Sequence, residues 1–204
     1  MDLSGKIALV TGASRGIGEA LAIGLADHGT DVIICDLESE SRGLANTQKQ
    51  IEKTGKKCWS YFLDVTKKSQ IQKMVSDILS DIGSIDILVN NAGILTPTSL
   101  EEIDEKTWDN HFEVNTKGVL LMCQSVLPHM REKKSGRIIN IASIAGRQGS
   151  PTQGHYASTK SAVITLTRVL AQEVGEAGIT VNAICPGIIL TEMGKNNLGS
   201  EKEI

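Results

Sequence analysis

The sequence predicts an α/β fold of the doubly wound type, a parallel sheet with helices on both faces. Three observations predict it. Short apolar runs alternate with helical segments along all 204 residues. The first two of those runs are apolar throughout, as strands buried on both faces are, and do not alternate with polar residues. A glycine-rich turn joins the first run to the first helix. Right-handed crossovers leave six such strands little choice but an open sheet wound in both directions.

The elements follow in order. Residues 7–10, between Gly5 and Gly12, read as the first strand. Ile17, Leu21 and Leu25 then recur at helical spacing. Residues 32–35 form a second buried strand, and a polar helix runs on to about Lys53. Residues 58–63 form the third strand. Ile71, Met74, Val75, Ile78, Leu79 and Ile82 mark a strongly amphipathic third helix. Residues 85–89 are strand four. One long helix is predicted from about Thr107 to Arg131. Residues 137–141 are strand five, and a helix from about His155 to Glu173 turns Val163, Leu166 and Leu170 inward, with Val174 just beyond. Residues 179–184 are strand six. No repeat, low-complexity tract or Pro/Gly linker interrupts the pattern, so residues 1–204 are expected to form one domain carrying both cofactor and catalytic sites.

Bulk properties narrow the function. Hydrophobic residues make up 40% and charged residues 22%, with a formal net charge of −3. No basic face for nucleic acid is expected. The N-terminus lacks a basic segment followed by a long apolar one, and no run approaches the roughly 18 apolar residues of a membrane span. A cytoplasmic protein without a membrane partner is therefore expected. Cys35, Cys58, Cys123 and Cys185 stand far apart and form no CxxC pair, so reduced thiols are expected, without zinc or disulfides. The four histidines lack ligand spacing and read as surface or packing residues, and no metal is expected.

The turn after strand one reads Thr11-Gly12-Ala13-Ser14-Arg15-Gly16-Ile17-Gly18. Gly12 permits a tight turn, Gly16 a close approach to a pyrophosphate, and Gly18 close packing of helix on sheet. The helix then offers its N-terminal amides and positive dipole end to phosphates. This places Ser14, Arg15, Gly16, Ile17 and Gly18 among the expected cofactor contacts. Asp36 ends strand two about twenty residues on, where an acid can accept hydrogen bonds from the ribose hydroxyls of NAD and repel a 2′-phosphate. Arg15 pulls towards a 2′-phosphate. Asp36 is nearer the discriminating atoms, so NAD(H) is preferred, with NADP(H) still admitted.

Tyr156 and Lys160 lie four residues apart, on one face of a helix. A phenol is a poor base near neutral pH, with a reference pKa of about 10. The Lys160 ammonium and an oxidised nicotinamide would together lower that value and make Tyr156 a usable general acid/base. Ser143 follows strand five, at the carboxyl edge where open sheets bind ligands, and its hydroxyl can polarise a substrate carbonyl. Asn115, inside the long helix, could hold a water that relays protons from Lys160.

Taken together, these residues resemble the short-chain dehydrogenase/reductase family in its single-domain soluble form, a Rossmann fold. Gly12, Gly16, Gly18, Asp64, Asn91, Ala92, Gly93, Asn115, Ser143, Tyr156, Lys160, Pro186, Gly187 and Thr191 carry the resemblance from one end of the chain to the other. The resemblance implies an NAD(P)-dependent enzyme that moves a hydride between nicotinamide and a ketone or secondary alcohol. It implies that Asp64 and Val65 flank the adenine and that Asn91, Ala92 and Gly93 line the cofactor. Lys160 would also bind the nicotinamide ribose. Pro186, Gly187, Ile189 and Thr191 would border the carboxamide.

Within the family, TGASRGIG and NNAG resemble NADPH-linked 3-oxoacyl thioester reductases, whereas Asp36 resembles NAD-linked polyol and alcohol dehydrogenases. The segments 146–154 and after Thr191 should border the substrate, and Arg147 could attract an anionic one. Family members usually continue beyond Ile204 with a lid, a helix and a seventh strand, and the segment 194–204 is too polar for a strand. A truncated C-terminal region is therefore expected, with an exposed edge at strand six, and a homo-oligomer, dimer or tetramer, is expected of the complete protein. A non-catalytic NAD(H)-binding module or inactive fragment is the rival reading.

Overall fold

The computed structural model describes residues 2–197. Its six strands are β1 (Ile7–Thr11), β2 (Asp31–Asp36), β3 (Cys58–Phe62), β4 (Ile87–Asn90), β5 (Gly136–Ile141) and β6 (Ile179–Ile184). They form one sheet in the order β3-β2-β1-β4-β5-β6. Every pairing is parallel. The winding reverses between β1 and β4, and that switch point opens a crevice at the carboxyl ends of the strands.

The helices are α1 (Gly16–Asp27), α2 (Ser41–Lys53), α3 (Lys68–Asp81), α4 (Glu105–Phe112), α5 (Gly118–Glu132), α6 (Ala145–Gln148), α7 (Gly154–Val174) and α8 (Glu192–Asn197). Two buried apolar clusters explain their placement. On one face Leu9, Ile33, Leu88 and Ile138 of the strands meet Ile71 and Ile78 of α3, Met122 and Val126 of α5, and Val163 and Leu170 of α7. On the other, Ala8, Val10, Val32 and Ile34 meet Ala22 and Ala26 of α1 and Leu44 and Ile51 of α2. Alternate residues of β1 and β2 thus enter opposite cores, which is why these strands read as unbroken apolar runs. At β6 the second face is open, with Thr180, Asn182 and Ile184 exposed.

Two differences from the sequence reading matter for the site. The long helix predicted from Thr107 to Arg131 is divided: a π turn over Glu113–Lys117 separates α4 from α5. The extra residue in that turn resets the helix phase and leaves Asn115 fully buried. The fourth strand begins at Ile87, because Ile85 and Asp86 form the lead-in, where the Asp86 carboxylate accepts the N–H of Ile7 at 3.0 Å. β6 has only β5 as a neighbour and is an edge strand among the described residues. Of the polar segment 194–204, residues up to 197 belong to α8, and the rest lies outside the described residues.

Candidate active site and cofactor cleft

The expected cofactor residues and Ser143 lie at the carboxyl edge of the sheet, at or just beyond strand ends. Thr11–Gly18 follows β1, Asp36 ends β2, Asp64 and Val65 follow β3, and Asn91–Gly93 follow β4. Ser143 follows β5, and Pro186–Thr191 follow β6. Tyr156 and Lys160 reach the same edge from α7.

The glycine loop is held by its neighbours. Gly12 has φ +65°, and a Cβ there would meet the backbone of Ala92 at 2.8 Å. A Cβ on Gly18 would run into the Gly12 carbonyl and the Asn91 amide. The Asn91 side chain donates to the carbonyls of Thr11 and Gly12 at 3.0 and 2.9 Å. Its own backbone N–H and that of Ala92 donate to the Thr11 hydroxyl. Asn91 therefore braces the loop with its side chain. Arg15 occupies the N-cap of α1 and supplies no side-chain cap. The first-turn amides and the dipole end of α1 are left for an anion. A glycine cradle that side chains would fill, beside an uncapped helix start, fits the pyrophosphate of a dinucleotide.

Asp36 accepts the backbone N–H of Ser14 at 3.0 Å through one oxygen and that of Leu37 at 2.9 Å through the other. It ends β2 without capping a helix, since Glu40 is the N-cap of α2. Arg15 does not stand free beside it. Its guanidinium pairs with Glu40 at 3.0 Å and with Glu192 at 3.6 Å. Asp64 closes a local turn by accepting from the N–H and hydroxyl of Thr66 at 2.9 and 2.7 Å. Val65 is buried against Gly118 of α5.

The catalytic candidates converge. The Lys160 ammonium donates to the Ile141 carbonyl at 2.8 Å and lies 5.6 Å from the Tyr156 ring centroid. Lys160 is almost fully buried, and burial pushes its pKa down to about 8. Burial raises the Tyr156 phenol above its ordinary 10, and a hydrogen bond with the Ser143 hydroxyl opposes that rise. Ser143 also accepts the Ala145 N–H at 3.1 Å, which orients its oxygen.

Asn115 meets the same group from behind. Its oxygen accepts the Ile94 N–H at 2.8 Å, and its amide donates to the Ile94 carbonyl and the Thr159 hydroxyl at 3.0 and 3.1 Å. The side chain expected to hold a water thus ties the loop after β4 to α7. A Cβ on Gly93 would sit 3.1 Å from the Asn115 oxygen and 3.4 Å from the Lys160 nitrogen, so Gly93 covers both. Pro186 accepts the Ile144 N–H at 2.9 Å, joining the loop after β6 to the Ser143 turn. Thr191 packs 3.2 Å from where a Gly16 Cβ would be, whereas Gly187 has open space there and Ile189 is half-exposed. Ile17 opens α1.

Some contributors were not read from sequence. Beneath the site, Asn90 donates to Asn140 at 2.9 Å across paired β4 and β5, and Asn140 donates to Thr167 at 2.8 Å. Either asparagine could have been found as a polar residue inside an apolar strand. Among the described residues no group of three His, Cys, Asp or Glu could hold a metal ion, and no helix is long and apolar enough to cross a membrane.

Known proteins match this arrangement. A family model for short chain dehydrogenases matches residues 6–202. A 3-oxoacyl-[acyl-carrier-protein] reductase from Staphylococcus epidermidis is 41% identical over 188 residues, 92% of this chain and 77% of that protein. The structure of an NAD+-bound xylitol dehydrogenase superposes with a TM-score of 0.89 at 32% identity, covering 92% of this chain and 72% of that one. Levodione reductase superposes with a TM-score of 0.91 at 34% identity, covering 96% and 76%.

Proposed function

The chain belongs to the short-chain dehydrogenase family, and on that premise we propose that it is an NAD(H)-preferring oxidoreductase of a ketone or secondary alcohol, with Tyr156 exchanging the proton. The observation that carries this reading is the meeting of Ser143 and Lys160 at Tyr156, beside the glycine cradle.

Gly12, Gly16 and Gly18 with the start of α1 would receive the pyrophosphate, Asp36 the adenosine ribose, and Lys160 the nicotinamide ribose. When bound, the nicotinamide supplies the hydride acceptor or donor. The chain's own residues handle the proton. Ser143 orients the substrate oxygen and steadies charge on it. Tyr156 gives its phenolic proton to that oxygen in reduction and takes it back in oxidation. Lys160, held by the Ile141 carbonyl, stabilises the phenolate. Asn115 acts by position, fixing the turn of α7 that carries Lys160. One domain carries both sites, and the protein is a homo-oligomer.

A fluorescence titration with NADH and NADPH, followed by turnover of a ketone panel, tests the reading. NADH should bind more tightly, and Tyr156→Phe should lose turnover by a factor of roughly 10²–10⁴ while NADH binding stays close to that of the parent. Substantial turnover by Tyr156→Phe would sink the mechanism. A chain that binds NADH but turns nothing over would favour the non-catalytic module. The second reading is an NADPH-linked 3-oxoacyl thioester reductase, which the 41% identity to an enzyme of that name favours. Tighter binding of NADPH, with reduction of an acetoacetyl thioester, would install it.

A further inference from the structure

Arg15 is the cation that the glycine loop itself supplies, and its neighbours do not leave it free. It follows Ser14, whose N–H is bonded to Asp36, so its backbone lies beside the ribose-selecting carboxylate. From there its guanidinium reaches Glu40 at 3.0 Å, and Glu192 approaches its Nε from the other side at 3.6 Å. The placement of Glu40 is built into the fold. Glu40 is the N-cap residue of α2, and Gly43 in the next turn lies so close to the loop that a Cβ there would meet the Ser14 carbonyl at 2.7 Å. The start of α2 is thereby seated on the glycine loop. The segment from Asp36 to Glu40 also carries Glu38, so three carboxylates line five residues at this mouth of the cleft. A 2′-phosphate, close to dianionic near neutral pH, would need a cation here to offset them.

We propose that Glu40 is a specificity-determining residue for the cofactor, acting by withdrawing the Arg15 guanidinium from a 2′-phosphate. This rests on the NAD(H)-preferring reading of the same site. Asp36 discriminates through its own carboxylate, whereas Glu40 works through Arg15. Removing the Glu40 charge breaks the shorter of the two ion pairs that engage Arg15 and leaves the 3.6 Å pair with Glu192, which makes the cation more available to a phosphate.

The test is a cycle of dissociation constants for NADH and NADPH, by fluorescence titration of the full chain, in the parent, Glu40→Gln, Arg15→Gln and the double variant. Glu40→Gln should lower the ratio of the NADPH to the NADH constant by about fivefold, the upper range for an exposed pair. That gain should vanish in the Arg15→Gln background. The side chains of Arg15 and Glu40 are 60% and 28% exposed, and thermal melts should show all four proteins folded. An unchanged ratio in Glu40→Gln overturns the proposal. An equal drop with and without Arg15 also overturns it, because Glu40 would then act by its own charge. A parent chain that binds NADPH more tightly than NADH overturns the NAD(H) reading itself, and the cycle separates that failure from the other two.

Discussion

The carboxylate of Asp36 accepts the backbone N–H of Ser14 at 3.0 Å, so the residue that ends β2 also fixes the loop that follows β1. The end of β2 and the glycine loop are therefore coupled through one side chain. Nor is the acid free to move, since its other oxygen is held by the Leu37 N–H at 2.9 Å.

Asp36→Ala should accordingly fail twice. Two backbone donors lose a charged acceptor, which costs about 1–2 kcal/mol of stability at a partly exposed site. NADH affinity should fall roughly tenfold. Asp36→Asn keeps one acceptor oxygen, so it should retain most of the stability while losing discrimination against NADPH. Urea melts and paired titrations check both. If Asp36→Asn kept the parent's cofactor ratio, the carboxylate charge would select nothing.

Gly18→Ala should damage the loop more than any exposed substitution. The new methyl would overlap the Gly12 carbonyl and the Asn91 amide, and that amide is what holds the Thr11 and Gly12 carbonyls. Neither neighbour is the loose end of a flexible chain. Overpacking of this kind costs about 3 kcal/mol, and the pyrophosphate cradle would be displaced with it. Denaturant titration with NADH binding checks this. A variant of parental stability and affinity would show that the helix can shift without cost.

Lys160→Met separates catalysis from stability. Burial holds the Lys160 pKa at about 8, below its ordinary 10.5. Between those values the unfolded chain binds the proton more readily than the folded one, so stability rises with pH across that window. Methionine carries no such proton, so the rise should be missing from the variant. Turnover should fall by roughly 100-fold or more, because the phenolate of Tyr156 loses its cation. Melts from pH 7.5 to 10.5 check the linkage, and an identical pH slope in both proteins would refute it.

The six strands and the site edge were legible in the sequence because they rest on local signals. Continuous apolar runs mark strands buried on both faces, and the glycine spacing around residues 12–18 marks one turn. What escaped rests on distant partners. Asn115 sits in a π turn whose side-chain bonds go to Ile94 and Thr159, 21 and 44 residues away. The pairing of Arg15 with Glu40 depends on α2 packing against the loop, and the contact of Asn90 with Asn140 on strand register. A helical periodicity cannot reveal one inserted residue, so residues 107–131 read as unbroken.

His111 and His155 carry no sequence signal beyond that of ordinary packing or surface residues, yet they form a buried pair with ring centroids 4.0 Å apart. The Nδ1 of His111 lies 2.7 Å from the Thr107 carbonyl, and its Nε2 receives the Thr96 N–H at 3.3 Å. The carbonyl requires a proton on Nδ1, and the amide requires none on Nε2, so this ring is neutral in the fold. His155 immediately precedes Tyr156, and neither of its nitrogens has a well-formed hydrogen bond among the described residues. Burial holds both imidazoles below the usual histidine range, and His111 lowers His155 further. The backbones of Thr107 and Thr96 oppose the shifts at His111 and His155 respectively. Asp104, Glu105, Asp109, Glu113 and Lys106 line the adjoining cleft with His111, but burial is the larger influence on that ring. The sign follows directly. Above the ordinary value of 6.5 both states are neutral. As pH falls below it, the unfolded chain takes up protons that the folded chain refuses, so stability drops. His155→Phe keeps a ring of similar size and forfeits no well-formed hydrogen bond, so it should gain about 1 kcal/mol at pH 7. It should also flatten the decline between pH 7 and pH 5. Denaturant midpoints across that range check both, and an acid slope as steep as the parent's would show that other groups govern it.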